Sequence, residues 1–131
     1  MFAWPPEART GVGAEPGEQD AARLPDPYEA VAARLAGLSE ADNAAFNRLT
    51  EKQQSRSRDK AYLDRLVRGE EPVADWLRTI VEIRLIGHRL NEEGGMPLMV
   101  QVCERAGAVS RDRATRRSIE ADWDQIGRWR G

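Results

Sequence analysis

Only a few residues in this chain have the type and spacing to do chemistry. His88, the one histidine, stands one helical turn before Glu92, a spacing that suits a His/carboxylate pair for proton transfer. No nucleophile is spaced to meet it, so a structural hydrogen-bonding role is the expectation. Cys103 is the one cysteine; it cannot close an intrachain disulfide, and no Cys/His spacing suits zinc. It falls on the apolar side of its segment and reads as a small buried hydrophobe. Arg84 is odder. By phase it falls inside an apolar stripe, between Ile80, Leu77 and Gly87, where a charged head must snorkel out, find a carboxylate or meet a ligand. An intramolecular partner is the first expectation for it, and contact with a partner protein the second.

Gly87 in the same stripe predicts the close approach of another backbone, because glycine lowers helix propensity by about 1 kcal/mol relative to alanine and needs a packing reason. Gly94-Gly95 fits a left-handed helix end. A phosphate-cradling loop would need a preceding strand, a lysine and a glycine fingerprint, all missing here. Di-iron bundles need paired Glu-x-x-His motifs, also missing. The expectation is therefore a protein without cofactor or metal, and not an enzyme.

The segment VQVCERAGAVSRDRATRRSIE resembles a helix-turn-helix: a short helix, a glycine at the turn, and Ser110 opening a second helix. That resemblance, spread over residues 97–126, implies DNA contact through Arg111, Arg113, Arg116 and Arg117. The likeness is degenerate in its second half. With Gly107 as the turn glycine, the inward positions of the second helix fall on Arg113 and Arg116; one extra turn residue places Ala114 inward and Arg117 next. A helical hairpin whose arginines are solvated or paired with Asp112, Glu120 and Asp124 is the competing picture.

The element that would hold these residues is PVADWLRTIVEIRLIGHRLNEEGG, residues 72–95. Val73, Trp76, Leu77, Ile80, Val81, Ile83, Gly87 and Leu90 share one stripe at the helical period. Leu85 and Ile86 lie off that stripe, as in a helix with neighbours around it. Pro72 is expected to open this helix behind Glu70 and Glu71. Before it, Asp26-Pro27-Tyr28-Glu29 spells a capping box, with Val31, Ala32, Leu35 and Leu38 sharing a face. Gly37 and Ser39 mark a stop and a new start, followed by Phe46 and Leu49. A polar run after Leu49 is expected to break near Ser55 to Arg58, with Asp59 capping a further helix that carries Tyr62, Leu63, Leu66 and Val67 and closes at Gly69. Arg56, Arg58 and Lys60 form a small basic patch there, diluted by Glu51 and Asp59. Pro97 starts a short helix, and Ser110 a last one with Ala114, Ile119, Trp123 and Ile126 inward.

Composition bounds the rest. The chain has 131 residues, with 20 basic against 22 acidic, a formal net charge of −2, which argues against a strongly basic nucleic-acid coat. No apolar run reaches bilayer length and no secretory signal opens the chain, so no membrane association and a cytoplasmic location are expected. Residues 1–25 hold four of the seven prolines and little apolar periodicity, predicting a disordered arm. Phe2 and Trp4, just before Pro5-Pro6, could dock in a partner groove.

The prediction is an all-α protein: a single compact bundle of five or six helices over residues 26–131, packed around a central helix. Four tryptophans exceed the need of one small core, and tryptophan is enriched at interface hot spots. A protein-interaction or accessory role follows, with Trp4, Arg84 and Trp129 as contact residues and another protein, or a second copy of the chain, as partner.

Overall fold

The computed structural model describes residues 23–131; Phe2, Trp4 and most of the expected arm lie outside them. Five α-helices follow in order: α1 (Tyr28–Phe46), α2 (Glu51–Arg56), α3 (Lys60–Val67), α4 (Arg78–Val109) and α5 (Thr115–Asp122), with a 3-10 turn, Asp75–Leu77, leading into α4. No strand occurs among the described residues. The fold is the expected all-α bundle, and α1, α3, α5 and the 3-10 turn all pack against α4.

The core has two parts. The larger joins Val31 and Leu35 of α1, Ile83, Ile86, Leu90, Met99 and Val102 of α4, and Ile119, Trp123, Ile126 and Trp129 at the C-terminal end. The smaller gathers Leu63 and Leu66 of α3 with Leu77 and Ile80. Ile86, placed off the stripe by phase, is thus buried: α4 carries neighbours on more than one side.

Several expected boundaries move. The helix expected to stop at Gly37 runs unbroken to Phe46. A Cβ at Gly37 would meet nothing within 4 Å, and Ser39, read as a cap, is fully buried; packing of α1 along α4 overrides two local break signals. The Asp26 capping box does not form. Pro27 sits at the N-cap position without a side-chain bond, because Glu29 is drawn away by Arg105 at 2.7 Å and by the Leu24 N–H at 3.0 Å. The central helix starts at Arg78 rather than Pro72. Glu70 and Glu71 pair with Arg68 and Arg65 instead of facing its dipole, and Ala74 is extended.

The break in the polar run is where its sequence placed it: Asp59 caps α3 by accepting from the Tyr62 N–H at 3.1 Å. Thr50 also caps α2 reciprocally with Gln53, through a Thr-x-x-Gln box in the polar run. Gly95, at φ 67° and ψ −160°, is non-helical and divides α4 into two helical segments, so the left-handed end expected at Gly94-Gly95 and the restart near Pro97 are present within it. Ser110 is not the cap of α5; its hydroxyl donates to Glu40 at 2.6 Å and accepts from the Asp112 N–H. At the start of α5 Thr115 rather than Ala114 turns inward, with Ala114 exposed, while Ile119 is buried as expected. Phe46, Leu49 and Trp76, expected in the core, are only half-buried.

Candidate functional site

Three of the residues singled out for chemistry, Arg84, His88 and Glu92, lie where α3 meets α4; Cys103 does not, its thiol lying by the Arg116 carbonyl. Arg84 is fully buried. Its Nε and Nη2 donate to the two oxygens of Asp64 at 2.9 and 3.0 Å, and its Nη1 donates to the carbonyls of Asp122 and Asp124 at 2.7 and 3.0 Å. One guanidinium therefore ties α3 to α4 and satisfies carbonyls at the open end of α5, which explains a charge inside an apolar stripe. His88 Nε2 lies 3.0 Å from Asp64 Oδ1. A carboxylate only accepts, so Nε2 carries the hydrogen in this contact and Nδ1 is left as the second ring nitrogen.

Asp64, His88 and Glu92 line a depression of about 390 Å³ floored by Val67 and Leu85. The off-stripe Leu85 thus faces this hollow. Arg84 stands behind Asp64, out of reach. An oriented imidazole above an apolar floor can hold or move a proton, but the side chains lining the depression include no Ser, Thr, Cys or Lys to act as nucleophile. Cys103 is no substitute: it is buried, and burial pushes its thiol up to about 12, which keeps it unreactive.

A second hollow, about 230 Å³, lies between α1, the α2–α3 turn and α5, with Asp42 and Asp122 in its wall. Burial pushes the Asp122 carboxyl up to about 7; Asp42 adds to the shift, and Lys60 and Arg84 oppose it. Burial also raises Asp42 and lowers Lys60. Arg58 of the expected basic patch stacks over the Phe46 ring at 4.6 Å.

The tryptophans separate sharply. Trp123 is fully buried and its indole N–H donates to the Ile83 carbonyl at 2.9 Å. Its ring occupies the space where a Cβ on Gly87 would lie 2.6 Å from Nε1, so the neighbour that requires this glycine is a side chain rather than the expected backbone. Trp129 is only 6% exposed, meets Trp123 edge to face at 5.2 Å and donates to the Glu120 carbonyl at 2.8 Å. Arg84 thus has the intramolecular partner that was the first expectation for it, and Trp129, read as a contact residue, packs on the core.

Trp76 differs from both. Half-buried against the smaller core cluster, it lines a shallow groove of about 220 Å³ with Tyr62, Lys52 and Arg56, and its indole N–H has no hydrogen-bond partner among the described residues. The Arg56 guanidinium lies 4.2 Å from the centre of the Tyr62 ring. This groove was not anticipated, since Trp76 reads as core by phase. The helix break at Ser57 and the 3-10 turn are what bring Lys52, Arg56, Tyr62 and Trp76 together.

Arg111, Arg113, Arg116 and Arg117 are all exposed around the α4–α5 turn and the start of α5. Arg116 is shared between Glu120 at 3.3 Å and Glu104 at 3.8 Å. Gly107 is not in the turn. It lies within α4, where a Cβ would come 2.9 Å from that of Arg116, so the glycine serves helix-to-helix contact. Compared with models of protein families, with curated proteins and with solved structures, the chain matches none.

Proposed function

We propose that this is a non-enzymatic interaction protein whose contact surface is the groove formed by Tyr62 and Trp76. The observation that carries the reading is the contrast among the described tryptophans. Trp123 and Trp129 are buried with their N–H groups bonded to backbone, whereas Trp76 is half-buried, lines a groove and has no hydrogen bond to its N–H among the described residues. A half-exposed tryptophan on a rigid helical scaffold is the kind of anchor on which interface energy concentrates. The His88 depression, with an oriented imidazole but no nucleophile, gives an enzymatic reading less to stand on.

Affinity capture on the purified chain, run beside W76A and K52E/R56E, tests the proposal. The expected result is one stoichiometric partner, or a second copy of the chain, that both variants lose. A strictly monomeric wild-type protein that retains nothing, or retains the same partner in both variants, contradicts it.

DNA binding is the second reading, favoured by the exposure of Arg111, Arg113, Arg116 and Arg117 along one turn and the helix after it. Glu104 and Glu120, which engage Arg116, weaken it. Titration of random duplex with salt decides: phosphate neutralisation requires binding that falls steeply as salt rises, and absence of binding at low salt removes the idea.

A further inference from the structure

The polar groups around the Tyr62–Trp76 groove are almost all of one kind. Thr50 and Gln53, on its rim, are committed to their reciprocal cap: the Gln53 N–H donates to Thr50 Oγ1 at 3.1 Å and the Thr50 N–H to Gln53 Oε1 at 3.0 Å. Left over are the Lys52 ammonium, the Arg56 guanidinium, the Trp76 indole N–H and the Tyr62 hydroxyl. The first three can only donate. Neither Lys52 nor Arg56 has a carboxylate partner among the described residues; Arg56 is held instead by the face of Tyr62. Whatever occupies the groove must supply acceptors, and two unpaired cations beside an apolar floor favour acceptors that are charged.

Size narrows the class. About 220 Å³ lies below the roughly 300–1,000 Å³ typical of small-molecule pockets, and suits one side chain with its flanking backbone. A polynucleotide fits less well. Arg56 and Arg65 already sit 4.2 and 5.5 Å from the centre of the Tyr62 ring, so that ring is taken by cations rather than open to a stacked base.

We propose that the groove receives a short acidic peptide segment of a partner protein, with one apolar side chain seated against Trp76 and flanking carboxylates facing Lys52 and Arg56. This rests on the reading of the groove as the contact surface and adds the chemistry of what enters it.

The test selects random peptides displayed on phage against the immobilised full chain, counter-selects on W76A, and titrates the enriched peptides against K52E/R56E at low and high salt. Lys52 and Arg56 are exposed, so that double variant keeps its fold, which its circular dichroism and melting curve check. Expected are peptides with one large apolar residue between Asp or Glu residues, weakened at least about tenfold by K52E/R56E and weakened further by salt. Enriched peptides that depend on Trp76 but carry no acidic residues overturn the proposed chemistry and leave the groove as the contact surface. No peptide distinguishing wild type from W76A overturns both. Oligothymidylate binding that is lost in W76A and falls steeply with salt overturns the peptide class in favour of single-stranded nucleic acid.

Discussion

At the scale of single residues, Gly87 and Asp122 make the most direct statements. A Cβ at Gly87 would lie 2.6 Å from Trp123 Nε1 and 2.9 Å from the Ile126 side chain, and Trp123 is pinned by its bond to Ile83. G87A should therefore lose stability, by about 1–3 kcal/mol as for overpacked cores, despite its gain in helix propensity; a urea titration measures it. Asp122 sets a pH dependence. Its carboxyl is raised from 3.8 to about 7 in the folded protein, so the native state holds a proton that the unfolded chain has released. By linkage this contribution is present below about pH 4 and is lost as pH rises toward 7, with a slope on the order of 1 kcal/mol per pH unit. Asp42, also raised, acts in the same direction. D122N should flatten the slope between pH 5 and 7 relative to wild type, and an unchanged slope would refute the assignment. The need for a special neighbour at Gly87 was legible from its place in an apolar stripe. The Asp122 environment was not, because it depends on Asp42 and Lys60, far off in the chain.

At the scale of elements, α4 depends on two devices, its internal bend and its buried charge. Gly95 adopts φ 67° and ψ −160°, a region essentially reserved for glycine. G95A should lower stability by roughly 1–3 kcal/mol and straighten or unwind the helix there, seen as lost amide protection around residues 94–98. Arg84 joins α3, α4 and the end of α5 through Asp64, Asp122 and Asp124. R84M leaves Asp64 without its bidentate partner and should cost about 3–5 kcal/mol, with D64L in the same chain recovering part of the loss. A double variant no more stable than R84M alone would contradict that coupling.

The stripe on α4 was plain from its period, and the anomaly of a charge within it pointed to a partner. Which partner could not be read. Asp64 is 20 residues away, and the other acceptors are backbone carbonyls, which carry no signal in residue type. The continuous α1 was missed for a related reason: Gly37 and Ser39 are real local break signals, outweighed by burial of Val31, Leu35 and Ser39 along one face.

For the molecule as a whole, the bundle places two of the three described tryptophans inside with their N–H groups bonded and leaves the third, Trp76, beside cations. The all-α class and the central position of one helix follow from periodicity alone. The groove does not, since it forms from α2, α3 and the turn before α4, whose relative placement is set by Leu63, Leu66, Leu77 and Ile80 in the smaller core cluster. That is why Trp76, in phase with the stripe, reads as core yet stands half out of it. In the segment that resembles a helix-turn-helix, the turn between α4 and α5 is cross-linked to α1, with Glu40 accepting from the Ser110 hydroxyl and the Arg111 N–H; that link joins residues about 70 apart and carries no local signal.

The most direct measurement is a nitrogen–proton correlation spectrum of the indole groups of the full chain, followed by addition of a peptide selected on the wild-type protein. Slow hydrogen exchange and unmoved resonances are expected for Trp123 and Trp129, and fast exchange with a large shift on binding for Trp76. A Trp76 resonance protected like the other two, or a partner that shifts Trp123 or Trp129 while leaving Trp76 in place, would contradict the Tyr62–Trp76 groove as the contact surface.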